Sequence, residues 1–143
     1  MTTRSPALYS PELLALAVEL ADFPYRRDAA VFGSARSRSC GSTIALSSER
    51  PDALEGVGLQ VTACAVGQGS AAIFAREAGG MDASTVKDTL DALIAWLEGE
   101  APSTILPRLE LLEPARPHRG RHEAILLPWR AALDALSNGQ ADR

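Results

Sequence analysis

The order of apolar patterns along the chain is the feature that most constrains its fold. Three short runs in the first half have the period-two alternation or β-branched content of strands. They cover residues 29–37, 42–49 and 57–64. Short turns containing Gly or Pro separate them, which favours an antiparallel meander. Because the flanking segments have helical spacing, we predict an α+β fold in which helices pack on one face of a three-stranded antiparallel sheet.

Along the chain, helices are predicted both before and after the three strands. The sequence SPE at 10–12 is typical of a helix start, with Ser as N-cap, Pro in the first position and an acid in the first turn. That N-terminal helix should end near Pro24. A C-terminal helical half follows the sheet, in which Ser84 is a candidate cap and Pro128 should kink the last helix or begin a new first turn. Its predicted helices cover residues 65–79, 83–100, 107–114 and 121–139.

Size and charge exclude several classes of protein. The 143 residues fit one domain spanning 1–143, with 1–8 and 137–143 expected to be flexible tails. A net charge of −4 argues against general nucleic-acid binding, although residues 114–122 form a basic island. The N-terminus lacks a signal-peptide pattern, and no apolar run approaches the ~20 residues of a membrane span. We therefore expect a cytoplasmic protein with reduced thiols.

The chain has two cysteines, and both fall at predicted element ends. Cys64 lies where the third strand meets the next helix, and a helix N-terminus favours a thiolate. Cys40 lies in the turn between the first two strands, at the same end of a meander. Arg36 and Arg38 are expected to lower its pKa. Each cysteine is compatible with a packed core thiol, half of a disulfide, a nucleophile or a metal ligand.

His122 is the third candidate for this site. Gly120 and the prolines before it place this histidine at the start of the last helix, which should face the same end of the sheet. Two thiolates and one imidazole suit zinc or iron. Glu123 offers a neighbouring oxygen, and His118 is a weaker candidate. Because no CxxC pair is present, spacing alone is weak support for a metal, and a packed thiol or a surface histidine remains an alternative.

Four segments follow one another in the same order as the motifs of one protein family, which they resemble. They are YSPELLALA in the first helix, SCGS at the first turn, ACAVGQGSAAIF at the strand–helix junction and RHEAILLPW in the last helix. Across about residues 9 to 136 the chain resembles the NifU/IscU/SufU-type iron–sulfur cluster assembly scaffolds, most of all the SufU-like branch. The resemblance implies a scaffold or sulfur acceptor that works with a cysteine desulfurase and cluster acceptor proteins. The oligomeric state is left open, with a homodimer as one alternative.

The resemblance also assigns the site residues. The family's first two cysteines match Cys40 and Cys64, and its histidine matches His122. Ser42 occupies the family's aspartate position, and the third cysteine would fall at or beside Glu123. The resemblance thus implies Cys40, Cys64 and His122 as ligands of an iron–sulfur cluster or zinc, Glu123 as a fourth ligand and Ser42 as a weak one. It also implies Cys64 or Cys40 as the persulfide acceptor.

The missing cysteine and aspartate leave three functions open. The first is a cluster scaffold or sulfur acceptor, which is not an enzyme in the strict sense. The second is a metal-free relative that binds other proteins. The third is a zinc-dependent sulfurtransferase. In the first case, the basic residues at 116–121 together with Arg36 and Arg38 would favour thiolate and persulfide anions and an acidic partner surface.

Overall fold

The three predicted strands form one antiparallel sheet in the order β1-β2-β3. A computed structural model describes residues 9–141, and the strands are β1 (Val31–Arg36), β2 (Thr43–Ser48) and β3 (Gly58–Thr62). The expected tails at 1–8 and 142–143 lie outside the described residues. Residues 137–141, also expected to be a tail, instead continue the last helix.

Helices precede and follow the sheet as expected, which confirms the α+β class. They are α1 (Pro11–Val18), α2 (Ala65–Glu77), α3 (Ala83–Leu97) and α4 (His122–Ala141). The predicted short helix at 107–114 is a 3₁₀ helix, Leu109–Ala115, and further 3₁₀ turns lie at Glu19–Asp22, Ser103–Ile105 and Arg119–Arg121. None of the helices within residues 9–141 is long and apolar enough to cross a membrane.

The helix starts show why these segments fold where they do. Ser10 Oγ accepts a hydrogen bond from the Leu13 amide at 3.1 Å, as the sequence predicted. The cap of α3 is Asp82, whose carboxylate accepts from the Thr85 amide at 2.9 Å, so the prediction of Ser84 was wrong. Pro128 lies inside α4, which continues past it to Ala141.

One face of the sheet is buried and the other is open. In the observed register Gly33 pairs with Leu46, and Leu46 with Leu59, and these residues lie on the inner face. Helix α4 crosses that face at Gly33. A Cβ at this position would lie 2.2 Å from the Ala131 carbonyl oxygen, so only glycine allows this approach.

A cluster of charges ties the segment before α4 to the rest of the domain. The Glu19 carboxylate contacts Arg76 Nε at 3.0 Å and Arg108 Nη1 at 2.6 Å. Arg76 also contacts Asp22 at 2.6 Å. Hydrogen bonds from Arg108, then from Arg76, lower the pKa of Glu19. Through Arg108, these contacts connect the segment before α4 to the 3₁₀ turn at Glu19–Asp22 and to Arg76 of α2.

Candidate functional site

The loop between β1 and β2 presents Cys40 at one end of the sheet. Cys40 is exposed, and its thiol donates to Ser37 Oγ at 3.1 Å. Ser42 Oγ lies 3.0 Å from the same sulfur, and Ser39 Oγ lies 3.2 Å from Ser37 Oγ. Ser37 and Ser42 are 1% and 5% exposed, so both residues are buried although Cys40 itself is exposed. We call Ser37, Ser39 and Ser42 the serine cradle.

The serine cradle favours the ionised form of Cys40. Hydrogen bonds from Ser37 first, and then from Ser42, lower the pKa of the Cys40 thiol, because each hydroxyl can donate to a thiolate. The shift was predicted, but from Arg36 and Arg38, and the structure attributes it to the hydroxyls instead. Arg36 lines the open outer face of the sheet beside Thr43.

Removing one hydroxyl should raise the pH at which Cys40 becomes reactive. In a Cys64→Ser background, Ser37→Ala should shift the midpoint of iodoacetamide alkylation to higher pH, since the thiolate loses a donor. The measurement is the alkylation rate across a pH series. Ser84→Ala, at an exposed position on α3, is the matched control. An unchanged midpoint for Ser37→Ala would show that the serine cradle does not stabilise the thiolate.

The loop that contains the serine cradle is hydrogen-bonded to residues at the start of α4. The Ser39 amide donates to Glu123 Oε2 at 3.1 Å, and Ser39 Oγ donates to the Gly120 carbonyl at 3.3 Å. Glu123 Oε1 lies 3.7 Å from Arg130 Nη1. Hydrogen bonding to Ser39 lowers the pKa of Glu123. Glu123 was predicted as a fourth metal ligand, and in this structure it holds the Cys40 loop.

Loss of the Glu123 carboxylate should loosen that loop. We expect Glu123→Ala to speed hydrogen exchange of the Ser39 amide several-fold, whereas Glu123→Gln keeps an acceptor and most of the protection. The folded-state pKa lies below the unfolded one. The contribution is therefore fully present above the unfolded pKa and is lost as pH falls through the folded pKa. Equal protection of Ser39 in both variants would contradict this role.

Cys64 is the N-cap of α2, as predicted, and is half-buried. Hydrogen bonding to Cys64, and then its charge, raise the pKa of Arg121, the residue directly before α4. The Arg121 guanidinium lies 5.9 Å from the ring centroid of Tyr9. Arg121 thus interacts with Cys64, and Glu123 accepts a hydrogen bond from the Cys40 loop. Because Thr43 pairs with Arg36 on one side and Thr62 on the other, the Cys40 loop and Cys64 lie at the same end of the sheet.

The histidines are placed differently from each other. His122 begins α4, as predicted, and its Nε2 lies 2.6 Å from the Arg116 carbonyl oxygen. Because a carbonyl only accepts, Nε2 is the donor in this hydrogen bond, and in a neutral ring Nδ1 is then the nitrogen with a lone pair. His118 is exposed in the preceding 3₁₀ turn.

The predicted donors do not meet as a metal site. Residues 9–141 contain no group of three His, Cys, Asp or Glu side chains that could hold a metal ion. Glu123 and Ser42, the oxygen donors, are hydrogen-bonded to Ser39 and Cys40. A zinc site needs at least three converging protein ligands, and the described side chains do not provide such a group. The assignment of Cys40, Cys64 and His122 as ligands therefore stays a prediction.

Two parts of the site were missed at the level of sequence. The hydroxyls of the serine cradle were signalled by the sequence SRSCGS at 37–42, in which serines flank the cysteine on both sides. The contact of Arg121 with Cys64 had only a general signal, the basic island. Serine and arginine are common residue types, so their presence alone did not indicate either interaction.

Comparison with solved structures places this fold in a known group. The chain is similar to a nitrogen-fixing NifU-like protein (N-terminal) from Brucella abortus, with a TM-score of 0.80 and 24% identity over 95% of this chain and 96% of that one. It is also similar to a protein from Fervidobacterium islandicum AW-1 described as a putative iron–sulfur cluster assembly scaffold for the SUF system. That match has a TM-score of 0.77 and 18% identity over 90% of this chain and 96% of that one.

At these identities the likeness shows the fold. No protein-family model and no curated protein matches the chain. The chain has the fold of the NifU-like and SufU proteins, so the fold that the sequence resemblance implied is confirmed.

Proposed function

We propose that this protein accepts sulfur from a cysteine desulfurase during iron–sulfur cluster assembly, with Cys40 as the acceptor. The observation that carries the proposal is the exposed Cys40 thiol inside the serine cradle, at the tip of a loop that α4 holds in place. A fold shared with a protein described as a SUF-system scaffold supports the choice of pathway. The cluster would be the cargo, and cluster acceptor proteins in the cytoplasm would be its recipients.

The chemistry needs a thiolate and a donor persulfide. The Cys40 thiolate attacks the outer sulfur of the desulfurase persulfide, and a Cys40 Sγ–S bond forms. The S–S bond of the donor breaks, and the donor cysteine leaves as a thiolate that takes up a proton. The sulfur passes between two cysteines without an external oxidant or reductant. Hydroxyls of Ser37 and Ser42 can donate to the anionic Sγ before transfer, and after transfer the negative charge lies on the newly added outer sulfur.

Cys64 has the features of a second sulfur-holding site. Cys64 interacts with Arg121, whose pKa it raises, and it lies at the N-terminus of α2. It is less accessible than Cys40, so we assign direct attack on the donor to Cys40. No step in this scheme passes through zinc or iron, because the predicted ligands do not converge within residues 9–141.

The test is transfer of one sulfur atom to a defined cysteine. The protein is incubated anaerobically with a cysteine desulfurase and L-cysteine, then cleaved after Glu49 and Glu55, which places Cys40 and Cys64 in different peptides. Mass spectrometry should show the mass of one added sulfur on the Cys40 peptide, removable by dithiothreitol. No added sulfur in the presence of an active desulfurase would overturn the proposal.

A metal-free protein-binding module is the second candidate. This candidate is favoured because Glu123 is hydrogen-bonded to Ser39 and Ser42 to Cys40. In a metal site, the oxygens of Glu123 and Ser42 would instead be available to bind the metal. If the protein is such a binding module, a Cys40→Ser/Cys64→Ser double variant should bind the desulfurase with the wild-type Kd, and the wild type should gain no sulfur. The zinc-dependent sulfurtransferase is distinguished by loss of transfer after zinc is removed with a chelator.

A further inference from the structure

Strand β1 lies at an edge of the described sheet. It pairs with β2 in antiparallel register. The Ser37 amide donates to the Ser42 carbonyl at 2.8 Å, which fixes the phase of the ladder. Backbone groups of residues 33 and 35 therefore face β2, and those of Phe32, Ser34 and Arg36 point away from it. Such a row of outward groups is the usual template for pairing with another strand.

Two polar side chains of α4 cover this row. Asp134 Oδ2 accepts from the Ser34 amide at 2.9 Å. Asn138 Nδ2 donates to the Phe32 carbonyl at 2.8 Å. A neighbouring strand would offer the same two interactions, one acceptor for the amide and one donor for the carbonyl.

The spacing of residues along α4 and along β1 explains why Asp134 and Asn138 can both reach the backbone of β1. Residues four apart on a helix are separated by about 6.0 Å along its axis, and residues two apart on a strand by about 6.7 Å. Gly33 removes the side chain that would hold α4 away from β1. The helix therefore lies close enough for both of its side chains to reach the strand edge.

We infer that Asp134 and Asn138 close the β1 edge against pairing with a second copy of this chain. Two β1 strands that pair antiparallel about Ser34 would place Arg36 of one copy opposite Phe32 of the other. Like charges therefore do not oppose this pairing, and Phe32 is an exposed aromatic on the same strand. The two α4 side chains supply the barrier, and the inference does not depend on sulfur transfer.

The experiment removes the Asp134 and Asn138 side chains and measures self-association of the protein. Sedimentation velocity over a concentration series should show that Asp134→Ala/Asn138→Ala dimerises at least about tenfold more tightly than the wild type. The matched control is Asp88→Ala/Gln140→Ala, which removes one carboxylate and one amide from exposed helix positions. It should behave as the wild type does. Circular dichroism at the same concentrations establishes that each variant is folded.

Isosteric substitutions keep the inference testable if the alanine variant does not fold. Asn138→Asp turns the donor into an acceptor facing the Phe32 carbonyl and should promote dimerisation. Asp134→Asn keeps an acceptor for the Ser34 amide and should not. Dimerisation of both variants to the same degree, or of neither, would overturn the inference.

A proline substitution on β1 tests whether the copies associate through the edge of this strand. The Ser34 amide points away from β2, so Ser34→Pro leaves the β1–β2 ladder intact while blocking a new strand. Added to the alanine double variant, it should return the protein to the wild-type association state. Association that survives this proline would show that the copies meet through another surface and would overturn the inference.

Discussion

Cys40→Ser should reduce sulfur acceptance from a cysteine desulfurase by at least about 100-fold, because a serine hydroxyl at its ordinary pKa is a poor nucleophile toward sulfur. Cys40 is the exposed thiol, and the pKa of this thiol is lowered by the hydroxyls of Ser37 and Ser42. The measurement is the initial rate at which radiolabelled sulfur from cysteine appears on the protein, with the desulfurase present in a catalytic amount.

Cys64→Ser is the matched control for that result. It changes the same atom at a half-buried position, and we expect it to retain at least about a third of the wild-type rate because Cys40 is intact. The opposite order, with Cys64→Ser inactive and Cys40→Ser active, would move the acceptor to the α2 N-terminus. Wild-type rates in both single variants would contradict the assignment of either cysteine as the required acceptor.

Gly33→Ala should destabilise the protein by about 3 kcal/mol, the upper part of the range for overpacked interiors. The added Cβ would lie 2.2 Å from the Ala131 carbonyl oxygen and 2.4 Å from the Ala135 amide nitrogen. These are backbone atoms of α4, so a rotamer change cannot relieve the contact, and the helix must shift. Urea unfolding followed by circular dichroism measures the change.

Gly79→Ala provides the comparison at an uncrowded glycine. Among the described residues, no heavy atom beyond its chain neighbours lies within 4 Å of the position that a Cβ would take at Gly79. This variant should therefore stay within about 1 kcal/mol of the wild type. A free energy of unfolding for Gly33→Ala as close to wild type would contradict the close packing of α4 on β1. A displaced α4 would also pull Asp134 away from the Ser34 amide.

Much of the fold was predictable because its signals are local. Ser10 and Pro11 define a helix start within one turn, and Cys64 follows an alternating strand directly, so its N-cap position could be inferred. The start of α3 shows the limit of local reasoning. Asp82 and Ser84 are both good caps, and only the observed bond to the Thr85 amide decides between them.

The site was less predictable because its contacts join distant parts of the chain. Glu123 and Ser39 are 84 residues apart, and Asp134 and Ser34 are 100 residues apart. A sequence pattern could place His122 at the start of a helix. It could not show that Nε2 points at the carbonyl of the preceding turn, which depends on the path of the 3₁₀ segment.

Sulfur transfer to metal-depleted protein, with the modified cysteine identified, tests most directly whether Cys40 is the sulfur acceptor. Wild-type protein is treated with a chelator, its zinc and iron contents are measured, and the same sample is incubated with a desulfurase and cysteine. We expect one sulfur on Cys40 at zinc and iron contents far below one per chain. Transfer that occurs only after zinc or iron is restored, or that never reaches Cys40, would contradict this expectation.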